Sequence, residues 1–250
     1  MEFQNKTVLS TGGASGIGLL SGKCFAKEGA SVVLADINPE ALDKAVADVK
    51  EITDRVIGVV TDVTKYEQVV ACRDKAVEAF GSIDVLIPCA GGAETRILGI
   101  SGKKFYELPI SVLEFSIGMN LMGALYFDHA VMQQMAKQGS GVIIHVGSIT
   151  GEEGSGSNLG YATSKSALMT GSLKSVAKAG AEVGVRVCCV APGPVMTRAA
   201  QAKMKTLMGY PAETQEIVDM LLYLASDKAR SITGSTYFID GGRKIMKNKG

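Results

Sequence analysis

A phenol and an ammonium four positions apart, Tyr161 and Lys165, fall on one face of a helix, close enough to interact. A free tyrosine ionises near a pKa of about 10 and is a poor base at neutrality, but a neighbouring cation stabilises its phenolate and brings it toward the working range. Oxidation of an alcohol needs such a group. Upstream, Val142-Ile-Ile-His-Val-Gly-Ser148 reads as a strand whose exit delivers the Ser148 hydroxyl to the same place. There it either holds a substrate oxygen or serves as a turn hydroxyl. Asn120, within Gly118-Met-Asn-Leu-Met-Gly123, sits in an apolar helix where an amide is disfavoured, either ordering a water or satisfied in the core.

A second constellation precedes these. Val8-Leu9-Ser10-Thr11-Gly12-Gly13-Ala14-Ser15-Gly16-Ile17-Gly18 leaves a strand and enters a helix. Gly12, Gly16 and Gly18 allow a ligand close approach, and the free amides at the helix start, around Ser15 and Ile17, attract anionic oxygens. A diphosphate fits this description; a glycine turn that binds nothing is the alternative. The spacing is G-x-x-x-G-x-G rather than G-x-G-x-x-G, and no Gly-Lys-Ser/Thr follows, which excludes a nucleoside-triphosphate loop of the Walker kind. Asp36, eighteen residues after Gly18 at the end of the second strand, is placed to accept hydrogen bonds from an adenosine ribose. It would repel a 2′-phosphate, and neither Ser15 nor Ile37 is a basic residue that would neutralise one, so the expected cofactor is NAD rather than NADP. Capping of the turn before Asn38-Pro39 is the other reading of Asp36. Asp62-Val63, ending the third strand, either meets the adenine edge or caps the helix that follows.

The elements that must position these groups are short apolar runs alternating with helical stretches, the pattern of strands covered on both faces. The runs are Thr7–Ser10, Ser31–Ala35, Arg55–Thr61, Ile83–Ile87, Val142–Val146, Val185–Val190 and Thr236–Ile239. Helices are expected at Pro39–Lys50, at Lys65–Phe80 and from Tyr161 to about Ala179. Seven parallel strands with right-handed crossovers close as an open doubly wound α/β sheet, whose ligand crevice lies at the carboxyl ends of the strands. A closed eightfold barrel lacks its eighth strand. With no linker or repeat, residues 1–250 read as one domain, carrying variable substrate loops at about 92–109 and 194–212.

Taken in order, Thr11-Gly12-x-x-x-Gly16-x-Gly18, Asn120, Ser148, Tyr161-x-x-x-Lys165, Pro192-Gly193 and Asp240-Gly-Gly resemble the short-chain dehydrogenase/reductase family over nearly the whole chain. The resemblance implies a Rossmann-type fold, with Tyr161 as catalytic acid/base and Ser148 binding the substrate oxygen. It also implies that Lys165 holds the nicotinamide ribose and that Asn120 completes a proton relay. Cofactor contacts are implied at Ile17, at Ala90 and Gly91, and at Pro192-Gly193-Pro194-Val195 with Thr197. One departure stands out: where the family usually has Asn-Asn-Ala-Gly, this chain has Pro88-Cys89-Ala90-Gly91. A thiol cannot replace an amide's hydrogen bonds, so some loss of strand bracing is expected there.

Composition narrows the alternatives. With 46% apolar and 20% charged residues the chain can bury a large core, and 26 basic against 25 acidic residues leave no basic surface for nucleic acid. Five scattered cysteines without a C-x-x-C argue against a disulfide framework or zinc site, and with no apolar leader or uninterrupted apolar span they suggest a cytoplasmic protein with no membrane partner. Cys89, Cys188 and Cys189 read as packed thiols, and His129 and His145 as packing residues. The expected activity is NAD-dependent interconversion of a secondary alcohol and a ketone. Polar loop residues such as Glu94, Arg96, Lys103, Lys104 and Glu107 favour a polyol or sugar. A hydroxysteroid or 3-oxoacyl thioester is the rival substrate, and a non-catalytic NAD-binding sensor the rival function. The resemblance further implies a homo-oligomer, tetramer or dimer.

Overall fold

The computed structural model describes residues 1–100, 102–196 and 204–247. Its strands are β1 (Thr7–Thr11), β2 (Ser31–Asp36), β3 (Val56–Val60), β4 (Val85–Pro88), β5 (Gly141–Val146), β6 (Val185–Pro192) and β7 (Thr236–Ile239). They form one seven-stranded sheet, every pairing parallel, in the order β3-β2-β1-β4-β5-β6-β7. The order reverses between β1 and β4, which opens the crevice above their carboxyl ends.

The inner strands are buried because helices cover both faces, while the edge strands β3 and β7 stay partly open. Along β6 the residues alternate: Val187, Cys189 and Ala191 join one core cluster, Cys188 and Val190 the other. The first layer is α3 (Tyr66–Phe80), α6 (Gly123–Gln138) and α9 (Gly171–Ala181); the second is α1 (Gly16–Lys27), α2 (Pro39–Lys50) and α10 (Thr214–Ala225). Local chemistry sets the helix ends. Asn38 caps α2 by accepting the Ala41 N–H at 3.0 Å with Pro39 as its first residue, and α3 and α6 stop at left-handed Gly81 and Gly139.

Three further helices surround the crevice: α4 (Glu94–Ile97), α5 (Ile110–Ile117) and α7 (Ile149–Glu153). The run from α5 to α6, Ile110–Gln138, is continuous and contains an 18-residue window of mean hydropathy 1.4, long and apolar enough by length and composition alone to cross a membrane. Its inner face instead lies on the sheet through Phe127, Ala130, Val131 and Met135.

One expected helix is two. The stretch from Tyr161 to Ala179 divides into α8 (Leu159–Met169) and α9, broken at Thr170 with φ −132° and ψ −93°. The last carbonyls of α8 are taken by other partners: Leu168 by the His145 ring at 3.3 Å and Met169 by the Thr236 hydroxyl at 2.7 Å. At this junction the carbonyls that would carry the ladder onward face side chains from β5 and β7.

Phe127 is fully buried between α6 and the sheet. Phe127→Ala should lower the unfolding free energy by about 3–5 kcal/mol, read as an earlier denaturant midpoint at unchanged slope.

Candidate active site

The expected cofactor residues gather at the carboxyl ends of β1, β2 and β4. Gly12 and Gly16 adopt φ of +62° and +54°, a region that favours glycine. A Cβ on Gly12 would stand 3.1 Å from the Ala90 backbone, and one on Gly18 would strike the Gly12 carbonyl. Gly16 differs, since nothing lies within 4 Å of where its Cβ would project. That open space borders the first turn of α1, where Ser15 is exposed, no side chain caps the amides and no acidic residue is present. The arrangement fits a diphosphate.

Asp36 caps the turn before Asn38-Pro39, the second of its two readings. Its carboxylate accepts the Asn38 N–H at 3.0 Å and the Ala14 N–H at 3.1 Å, tying the glycine loop to the turn after β2 while remaining partly open to solvent. Asp62 is more occupied locally: Oδ1 accepts both the N–H and the hydroxyl of Thr64, at 2.9 and 2.7 Å. Val63 is buried, packed against Gly123.

At the β4 exit the Thr11 hydroxyl accepts the Ala90 N–H at 3.0 Å, bracing the loop that Cys89 leaves without an amide. Cys89 packs against the second core cluster, and burial pushes its thiol up to about 12 against the pull of Lys165 and Ser10. A raised thiol pKa of this kind disfavours the thiolate and suits a packing role. Asn120 is 1% exposed and lies in a π-helical turn, Gly118–Met122. Its Oδ1 accepts the Gly92 N–H at 2.8 Å, while Nδ2 donates to the Gly92 and Ser116 carbonyls at 3.1 and 3.0 Å. The amide is held as a brace for the Gly91-Gly92 loop, satisfied by protein partners.

The β5 exit and α8 meet directly. Lys165 is 4% exposed, and its ammonium donates to the Val146 carbonyl at 2.6 Å, two residues before Ser148. The same Nζ stands 5.7 Å from the centre of the Tyr161 ring. Ser148 caps α7 by accepting the Thr150 N–H at 3.1 Å, which leaves its own proton free to donate.

Sequence reasoning missed the role of Glu94, reading it only as one of the polar substrate-loop residues. The side chain is 2% exposed and turned inward, accepting the N–H groups of Gly160 and Tyr161 at 2.9 and 3.1 Å and the Ser116 hydroxyl at 3.1 Å. Its partners are remote in sequence, so no local pattern announced it.

At the β6 exit Gly193 donates to the Ile239 carbonyl at 2.9 Å, and a Cβ there would meet the Asp240 backbone at 2.6 Å. Pro192 ends the strand, and Val195 is buried in a bridge to Ala212. Thr197 lies outside the described residues.

Residues 6–207 match the family described as short chain dehydrogenase. The chain belongs to that family. It is 33% identical to the 3-oxoacyl-(acyl-carrier-protein) reductase FabG of Thermotoga maritima, over 98% of this chain and 100% of that protein. Among solved structures it resembles an NAD+-bound xylitol dehydrogenase, with a TM-score of 0.88 and 27% identity, covering 97% of this chain and 100% of the other. It also resembles a 7α-hydroxysteroid dehydrogenase complexed with NADH and 7-oxo glycochenodeoxycholic acid, at a TM-score of 0.85 and 26% identity over 96% and 95% of the two chains. This short-chain dehydrogenase is therefore an oxidoreductase with the seven-stranded Rossmann-like sheet of its relatives.

Two histidines differ from a plain packing role. His129 hydrogen-bonds the Tyr66 hydroxyl at 2.6 Å. His145, fully buried beneath α8, places Nε2 2.8 Å from Asp128 on α6. Burial pulls its pKa down, but the Asp128 charge and hydrogen bond, with the Leu168 carbonyl, more than reverse this, and the net shift is upward from 6.5. A raised folded-state pKa means the stabilisation is fully present below about pH 6.5 and is lost as pH rises through the higher folded value. His145→Gln should destabilise the fold by about 3 kcal/mol at pH 6 and by less at higher pH. Urea midpoints of both proteins between pH 5.5 and about 9 check this; a constant difference is the contrary result.

Proposed function

We propose that this short-chain dehydrogenase interconverts a secondary alcohol and its ketone with NAD, using Tyr161 as the acid/base. The observation that carries the reading is Lys165, whose buried ammonium joins the helix bearing Tyr161 to the strand exit bearing Ser148. Tyr161 takes the hydroxyl proton as the carbinol hydrogen leaves as hydride, and returns it in the reverse direction. The nicotinamide, when bound, accepts or supplies that hydride. Ser148, with its lone pair engaged by Thr150, donates its proton to the substrate oxygen. Lys165 has three N–H donors and spends one on Val146, leaving others for a ribose hydroxyl. Asn120 acts by holding the Gly91-Gly92 backbone.

Gly12, Ser15, Gly16, Ile17 and Gly18 would cradle the diphosphate, with Ala90, Gly91, Pro192, Gly193 and Val195 lining the path to the nicotinamide. Asp36 supports NAD over NADP, because a carboxylate fixed by two backbone amides at the end of β2 stands where a 2′-phosphate would be repelled. Asp62 and Val63 border the adenine side through their backbone.

The loop side chains favour a bulky apolar alcohol over the polyol that sequence polarity suggests. Glu94 and Glu107 turn to the protein's own amides, whereas Tyr106, Leu207, Met208 and Tyr210 are more than half exposed, Tyr106 reaching 75%. A flat alicyclic or steroid carbinol matches such walls. Ile110, Phe115 and Met122 are exposed along α5 and its π-helical turn, and support self-association through that run in a homo-oligomer. Five unpaired cysteines suit a reducing, cytoplasmic setting.

In a steady-state panel of hydroxysteroids, alicyclic alcohols, polyols and 3-hydroxyacyl thioesters, wild type should turn over with NAD, and Tyr161→Phe should lose at least about a thousandfold in kcat while binding NAD unchanged. Wild-type inertness across the panel would favour a sensor instead. Asp36→Ala should raise the NADP-to-NAD ratio of kcat/KM at least about tenfold, and an unchanged ratio is evidence against the ribose contact.

A further inference from the structure

We propose that Glu94 is a positioning residue for proton transfer, gripping the first turn of α8 so that the Tyr161 phenol stays aimed into the crevice. This rests on the role proposed above for Tyr161. Glu94 opens α4, immediately after the loop that Asn120 holds, and reaches across to α8. Its two oxygens accept the backbone N–H of Gly160 and of Tyr161 itself. In a helix a long side chain leans back toward the N-terminus, so the phenol lies over the turn that Glu94 holds. Any slip of that turn moves the phenol with it, and misplacement by an ångström is enough to cost a large part of a rate.

Three further details suit positioning. Asn158, at the N-terminal cap position of α8, forms no side-chain cap, so the helix start has no local substitute for Glu94. A carboxylate at the positive end of an 11-residue helix is held there by charge as well as by hydrogen bonds. The Ser116 hydroxyl donates to Glu94 and lies 3.3 Å from the Asn120 amide nitrogen, so one buried network spans the β4 exit, α5 and α8. Gly160 permits this closeness, because a Cβ there would run into Ser116.

The test starts from the wild-type enzyme with a substrate it turns over, so failure of the function reading shows there first. In Glu94→Ala, kcat should fall about tenfold or more while the Kd for NAD, read by fluorescence, stays within about twofold. Amide hydrogen exchange at Gly160 and Tyr161 should accelerate about tenfold, a readout independent of turnover. Glu94→Gln, which keeps an acceptor oxygen, should recover part of both. Wild-type kcat in Glu94→Ala, or parallel loss of kcat and NAD affinity that follows the folded fraction, overturns the proposal. Should Glu94→Ala not fold, Ser116→Ala decides: kcat lowered about threefold with KM unchanged supports it, and unaltered kcat refutes it.

Discussion

An ammonium removed from water is stable only where hydrogen bonds replace its solvent, and the fold gives Lys165 the carbonyl that ends β5. That one bond fixes how deeply α8 must sit on the sheet. Two glycines make the depth possible. A Cβ on Gly147 would collide with Met169 and Cys189, and one on Gly151 with the backbone of Lys165 and Ser166. The ammonium reaches both the Tyr161 ring and the strand exit before Ser148 because the chain there has been stripped to backbone.

The same helix is matched electrostatically at both ends. Its N-terminus faces the buried carboxylate of Glu94, and a carbonyl of its last turn faces the His145 ring, whose charged form Asp128 favours. A carboxylate at the start is the sense that complements a helix dipole, and protonation of His145 would add the complementary charge at the finish. Neither partner belongs to α8, so the arrangement is a property of the tertiary fold. It forms only when β4, α6 and β5 are in place.

This explains what could be read from the chain and what could not. The strands were legible to within a residue or two because two-sided burial leaves unbroken apolar runs, as in Val32-Val33-Leu34 of β2. The glycine turn and the Tyr161/Lys165 pair were legible because their geometry is local. Glu94 was hidden by its company: it shares a polar stretch with Arg96, Lys103 and Glu107, and contacts from 22 to 67 residues away pull it inward. The break at Thr170 was hidden likewise, since the hydroxyl bonded to the Met169 carbonyl comes from Thr236 on the last strand. For His145 a clue existed, an aspartate among the apolar residues of α6, but pairing the two required the fold.

The π-helical turn at Gly118–Met122 carries one residue more than an α-helical turn would use for the same advance. Each residue turns a helix by about 100°, so that surplus sets the angular offset between the outward apolar stripe of α5 and the inward stripe of α6. Excising a single residue there would restore regular α-helical hydrogen bonding and yet rotate Phe127, Val131 and Met135 off the sheet. The irregularity thus acts as a phase shifter, letting one unbroken helical run serve two surfaces that point in different directions.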